Sequence, residues 1–365
     1  MENIAARVET SFSPRDVGPA AVTVRAVNPI DHPDWDALAA AHSNCSLFHT
    51  TAWAKTLVAA YGYAPVYLQA EEAGSVRSLL PLMEVNSWLT GRRGIALPFT
   101  DECEPLYRDT GSARLLMEEA LELGKSRRWK SVEFRGGSEL FPGVPASLSF
   151  YGHSLNLEGG EHRLFARLES SVRRAIRKAE KSGVTVTVSR ELDAMETFFS
   201  LHCRTRRKHR LPPQPFAFFR NIYEHILSQN LGMIAVARCH NRPIAASVYF
   251  HRGARAIFKY GASDDAFQQL RGVNLVMWEA IKWLAREGVR TLHLGRTSIG
   301  NEGLRRFKLG WGAEEHRINY VKFDLHQGAF VTDTDEATGW HNRLFGALPQ
   351  SISRMAGAAL YRHCA

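Results

Sequence analysis

The sequence predicts an α/β (α+β) protein of two tandem domains of one fold, each a mixed sheet flanked by helices. Three observations carry that expectation. The chain has 365 residues, 45% of them hydrophobic, which suits two ordinary domains with their own cores and excludes a largely disordered chain. Strand-like and helix-like stretches alternate along it. One order of elements (hairpin, strand, helix, strand) occurs twice: Ile257 stands 162 positions after Ile95, and Leu292 stands 160 after Val132. The expected division is a loose polar tail at 1–20, domains at 21–155 and 156–330, and a C-terminal tail at 331–365.

Taken in order, 21–27 is expected as a strand, and a helix begins near Asp34 after Pro29 and Pro33. Phe48-His-Thr-Thr opens a second helix containing Trp53, with Thr50 or Thr51 able to cap it. Residues 65–70 and 76–85 make a hairpin around Gly74. Strand 94–97 runs into the loop Pro98-Phe-Thr-Asp-Glu-Cys-Glu-Pro105, and helix 112–127 with strand 131–135 completes the unit. Between the units, Ser170 or Ser171 can cap a helix stopped by Gly183. It carries Arg173, Arg174, Arg177, Lys178 and Lys181 around an inner face of Val172 and Ile176. Five cations against Glu180 exceed what solubility needs, so phosphate contact stands beside a solvated face as a reading. A second basic cluster, Arg204 to Arg210, ends the next helix, where cations suit the C-terminal dipole in any case.

In the second unit, strands 233–237 and 244–251 form the hairpin and 256–260 the next strand. A polar loop then opens a helix at Gly272, with Val273, Val276, Met277, Ala280, Ile281 and Leu284 on one face. Gly288 stops it before strand 291–294. A helix start presents unpaired N–H groups and a positive dipole end, so the loop at Arg271 and Gly272 is a natural phosphate site.

A net charge of +9 favours an anionic partner, with nucleic acid, phosphorylated lipid and CoA all eligible. Five scattered cysteines without a C-x-x-C suit reduced thiols, and 15 histidines show no ligand spacing, so no metal is expected. No run approaches the ~20 apolar residues of a membrane span, and no secretory signal opens the chain, so a cytoplasmic location is expected. Near the end, Ser351 after Pro349 can cap a helix with Ile352, Met355, Ala359 and Leu360 on one face and Arg354 and Arg362 opposite. Such a helix suits weak peripheral contact with an anionic membrane or packing on its own domain.

Two resemblances follow from these residues. Gln269-x-x-Gly272-x-Asn274 resembles the Gln/Arg-x-x-Gly-x-Gly/Ala signature of GNAT-type N-acyltransferases, with Asn274 where Gly or Ala is usual. The resemblance implies donor phosphates held by Gln269, Arg271, Gly272 and Asn274. Over 21–325, Val172-Arg-Arg-Ala-Ile-Arg-Lys-Ala-Glu-Lys-Ser-Gly-Val184, Phe48-His-x-x-x-Trp53, the Leu97-Pro-Phe loop and Arg305-Arg-Phe-Lys308-x-x-Trp-Gly-Ala313 resemble the Fem family. That family comprises peptidoglycan-bridge aminoacyltransferases and Gram-negative relatives tied to envelope polysaccharide systems. It implies two GNAT-like acyl-CoA N-acyltransferase-fold domains side by side. It also implies transfer of an aminoacyl or acyl group to an amine of a cell-envelope precursor, small or lipid-linked. Acyl-CoA or aminoacyl-tRNA would be the co-substrate, with no permanently bound cofactor. Lys308 matches the family lysine that stabilises charge on the carbonyl oxygen. Lys55, Gln214, Tyr260 and Arg296 are the acceptor contacts it implies. The family's phosphate-gripping arginine falls on Gln214, which is uncharged, and no coiled-coil insert lies between Glu191 and Gly232. An acetyl-CoA-dependent N-acetyltransferase of an amino sugar and a non-catalytic envelope-assembly scaffold are the alternatives.

Overall fold

The computed structural model describes residues 22–333 and 350–363; the tail expected at 1–20 and Pro349 lie outside them. Strands Thr23–Val27, Tyr67–Glu72, Ser75–Leu80 and Leu106–Tyr107 form a small antiparallel sheet. The single strand expected over 76–85 is two strands in two sheets. Pro81 between them has no N–H to give a ladder, and Met83–Ser87 joins the larger sheet.

That larger sheet runs without a break through both halves. Its central order is Arg242–Arg252, Arg255–Ser263, Thr291–His293, Leu148–Asn156, Glu314–Asp324, Ser131–Arg135, Gly91–Ile95. Two of these strands cross over. Leu148–Asn156 pairs with Thr291–His293 of the second half, and Glu314–Asp324 pairs with Ser131–Arg135 of the first. The two also pair with each other. The repeated sequence order is a repeated parallel ladder, Ile95 opposite Glu133 in one copy and Ile257 opposite His293 in the other.

Helix Gly272–Arg286 buries Leu275, Val276, Met277, Ala280, Ile281 and Leu284, whereas Val273, expected on that face, is 38% exposed at the first turn. On the other side of the sheet a shared aromatic core joins the halves. Trp53 is fully buried, 5.2 Å from Phe48 and 5.9 Å from Phe250 between ring centroids.

Two capping expectations and one helix start are corrected. Thr50 is the N-cap of Thr51–Tyr61, but its hydroxyl donates to the Leu47 carbonyl; Asp36 accepts from Thr51 N–H at 2.8 Å instead. Glu169, not a serine, is the N-cap of Ser170–Lys181. Helix Thr110–Ser126 starts earlier than Ser112, because Asp109 accepts from the Ser112 N–H at 2.7 Å.

Helix Gln350–Leu360 lies across both halves. A Cβ on Gly357 would sit 2.0 Å from the Pro213 carbonyl oxygen, so only glycine allows that approach. Tyr63 Oη donates to the Tyr361 carbonyl at 3.3 Å and Arg206 donates to Tyr361 Oη at 2.6 Å.

Candidate active site

Strands Arg255–Ser263 and Thr291–His293 stay paired for three residues and then part, the second turning away through Gly295 at φ +76°. At the parting the longer strand carries a β-bulge. Val248 opposes Tyr260 and Tyr249 opposes Phe258, which leaves Lys259 as the extra residue. The bulge re-aims Lys259 toward the first domain, and its ammonium meets Asp101 Oδ2 at 2.7 Å. Asp101 sits in the loop that follows strand Gly91–Ile95, so the first half reaches into the gap of the second. Arg296 N–H donates to Asp101 Oδ1 at 3.3 Å. Its guanidinium donates to Tyr320 Oη at 2.6 Å and lies 4.4 Å over the Phe150 ring. Tyr320 Oη donates in turn to the Asp101 carbonyl at 2.7 Å.

Lys308, on helix Glu302–Leu309, enters from the opposite side. The residue is 3% exposed, and its ammonium donates to the carbonyls of Gly295 at 2.7 Å and Arg296 at 3.1 Å, which leaves one of its three N–H groups uncommitted. Burial pulls its pKa down to about 8, against the upward pull of Asp101. Burial works against ionised Asp101, yet Lys259 and Arg296 hold its carboxyl well below the usual carboxylate range.

On the helical side, helices Ser170–Lys181, Gly272–Arg286 and Glu302–Leu309 surround a cavity of about 580 Å³. Arg174, Lys178, Arg271, Asn274, Arg306 and Phe307 line it. Two cations of the basic helix thus meet Arg271 and Asn274. Arg271 holds the left-handed φ of +58°, uncommon for a residue with a Cβ, at the N-cap of its helix. Gly272 answers to packing: a Cβ there would meet Ile244 Cδ1 at 2.8 Å on the sheet, away from the cavity. Gln269 is exposed in the short turn before the helix and does not line the cavity.

The acceptor residues expected from the resemblance are scattered. Arg296 is in the network just described. Tyr260 packs edge-on to Phe219 and Phe218, its hydroxyl buried without a partner. Gln214 is buried beside His202. Lys55 is exposed on helix Thr51–Tyr61 near His225.

A second cavity, about 400 Å³, lies on the other face of the sheet, toward the first domain. Leu292 faces the helix core, and His293, one residue on, faces this cavity. Glu102, Glu104, His316, Arg255 and Arg317 share its lining. Potential ligand atoms of Glu102, His293 and His316 lie within 4.8 Å of one another, a metal-like trio. It does not fit a metal. His293 Nδ1 accepts the Gly295 N–H at 3.1 Å, and burial lowers the ring pKa to about 3, so the neutral ring carries its proton on Nε2. Asp101, Glu102, Lys259, His293 and His316 belong to none of the motifs read from the sequence. A lysine inside a buried strand and the acidic run in the loop before Pro105 were the available signals.

Residues 166–317 match the family of acetyltransferase (GNAT) domains. The chain is a GNAT-fold acyltransferase. Among solved structures, FemX superposes with a TM-score of 0.64 at 14% identity, over 81% of this chain and 96% of that one. L-PGS from Bacillus licheniformis gives 0.54 at 13%, covering 92% and 97%. A tandem GNAT protein from the clavulanic acid biosynthesis pathway gives 0.52 at 12%, covering 84% and 99%. These likenesses are of fold: this acyltransferase has the tandem architecture, and its matched domain supplies the lining of the cationic cavity. A search of curated proteins found no match.

Proposed function

We propose that this acyltransferase moves an acyl group from an acyl-CoA to an amine of a cell-envelope precursor, of peptidoglycan or polysaccharide. One observation carries the reading: one cavity is lined by Arg306 and Phe307, next in the chain to Lys308, and the other by Glu102 and His293, next to Asp101 and to the point where the parallel strands part. The cationic cavity suits the donor's phosphates, through Arg174, Lys178, Arg271 and Arg306. Strand Arg255–Ser263 runs on past the end of the parallel pairing at Ile257, and its edge there is the place for the donor's arm. The amine enters from the other face. As its nitrogen attacks the acyl carbon, negative charge grows on the carbonyl oxygen and the Lys308 ammonium stabilises it. A tRNA donor would ask for a wider basic surface. In the second basic cluster Arg204 pairs with Asp264 and Lys208 with Asp265, which favours CoA. Calorimetric titration with CoA and acetyl-CoA tests the donor. Micromolar binding is expected, weakened about tenfold or more in the Arg174→Ala/Arg271→Ala protein. No binding of either at millimolar ligand would remove the CoA reading.

A membrane-borne precursor is the version favoured by the surface near the C-terminus. Met355 is 72% exposed, Ile352 48%, Trp88 84% and Leu89 54%, and the Trp88 ring lies 5.3 Å from that of His363 at the end of the same segment. The apolar stripe of helix Gln350–Leu360 therefore faces outward while Gly357 faces the protein. No helix among the described residues is long and apolar enough to cross a bilayer. Contact would be peripheral, aided by the +9 charge and weakened by salt. Flotation with anionic liposomes should carry the wild-type protein at low salt and leave Met355→Ser/Trp88→Ser behind. Equal flotation of both rules the contact out.

A further inference from the structure

The cavity toward the first domain holds two half-buried carboxyls, Glu102 and Glu104, and neither is in any of the salt bridges among the described residues. Burial acts on Glu102 most strongly, then the like charges of Glu104 and Asp101; Arg255 opposes them only weakly. The fold is shaped around this pair. Gly136 turns at φ +105°, and a Cβ there would meet Glu104 Cγ at 2.7 Å and Glu102 Cγ at 3.2 Å. Facing the acids, His293 Nε2 is buried, bears the ring proton and has no partner.

Glu102, His293 and His316 stand too far apart to bond one another and close enough to share one small guest. Half-buried carboxyls crowded together without an ion-pair partner favour a cation between them. A metal ion would need the lone pair that the His293 Nε2 proton occupies. An ammonium needs only acceptors. Glu102 and His316 provide them, and the His293 Nε2–H can donate to the Glu102 carboxylate as it ionises. At the same cavity Arg255 and Arg317 are exposed cations.

We propose that this cavity takes a zwitterionic acceptor, its primary ammonium on Glu102 beside His316 and its anionic group on Arg255 and Arg317, and that Glu102 removes a proton from the ammonium. The proton transfer rests on the acyl-transfer reading; the binding site does not. Glu102 carboxylate accepts one proton from R–NH₃⁺ and leaves R–NH₂. The nitrogen lone pair then forms the N–C bond to the thioester carbon. The C–S bond breaks, and sulfur departs with the electron pair and takes the proton that nitrogen sheds.

The test uses the full chain and three probes: glucosamine 6-phosphate, glucosamine, which lacks the anion, and N-acetylglucosamine 6-phosphate, which lacks the amine. Calorimetry should find the first about tenfold or more tighter than either of the others. Glu102→Gln should erase the preference for the free amine, and Arg317→Ala the preference for phosphate, with CoA binding kept in both as the check on folding. Equal affinity for amine and N-acetyl probes overturns the proposal. So does an amine preference retained in Glu102→Gln, an absence of binding at millimolar probe, or tight Zn²⁺ binding that Glu102→Gln abolishes. Amine-dependent probe binding in a protein that ignores CoA supports the cavity and overturns only the CoA reading.

Discussion

Lys308→Met is expected to lower turnover about 10²–10³-fold with little change in KM, the loss seen when one oxyanion donor is removed. The geometry sets the direction. Two of the ammonium's N–H groups hold the Gly295 and Arg296 carbonyls, so the charge is fixed at the turn where the strands part. A fixed cation in a dry site stabilises developing charge without reorganising when the reaction occurs. The pH dependence follows from the same burial. With its pKa drawn down to about 8, Lys308 is mostly protonated at neutral pH and loses its proton as pH rises through about 8. Turnover that depends on the cation should therefore fall on the alkaline side with a midpoint near 8. Lys308→Arg cannot lose its proton in that range and should flatten this limb, even at reduced turnover. A Met variant with wild-type turnover, or one whose whole loss lies in KM, would assign Lys308 to structure or binding.

Much of the architecture was legible because it is local. The helix opened at Gly272, the strand Ser131–Arg135 and the repeat at one offset all rest on periodicity and turn residues within short windows. What escaped is non-local. Strands Leu148–Asn156 and Glu314–Asp324 pair with partners on the far side of the chain, and no window contains both sides of such a ladder. The site suffered in the same way. Lys259 and Asp101 are 158 positions apart, and the bulge that joins them is a register slip between two strands. Arg174, Lys178, Arg271 and Asn274 were visible as a basic helix and a glycine-led loop, but that they line one cavity depends on helix packing. Gly272 shows the opposite hazard. Its place in a phosphate signature drew attention to ligand approach, while its missing Cβ makes room for Ile244. Motif spacing locates a glycine without saying which side of it is crowded.

Asp101→Asn is expected to cost about 3–5 kcal/mol of stability, the usual penalty for breaking a buried ion pair from one side. The carboxylate oxygens take the Lys259 ammonium at 2.7 Å and the Arg296 N–H at 3.3 Å, and both side chains of the pair are largely buried, 7% exposed for Lys259 and 15% for Asp101. Burial pulls the Lys259 pKa down, and without that carboxylate the ring contacts with Phe48 and Tyr260 are left to favour the ammonium. Lys259 would shed its proton or draw in water, and the bulge would lose its anchor. The sign with pH is fixed by Asp101's depressed pKa. Its stabilisation is present in full above the unfolded value of about 4 and is lost as pH falls toward the folded value. The gap between wild type and Asp101→Asn should thus be widest near neutrality and close in acid. Chemical denaturation at pH 7 and at progressively lower pH measures both points. The double variant Asp101→Asn/Lys259→Met should recover part of the loss, because it removes the stranded ammonium along with its partner. Additive losses in the double variant would mean that the two residues stabilise the fold separately, and that the bridge between the halves is not an ion pair in energetic terms.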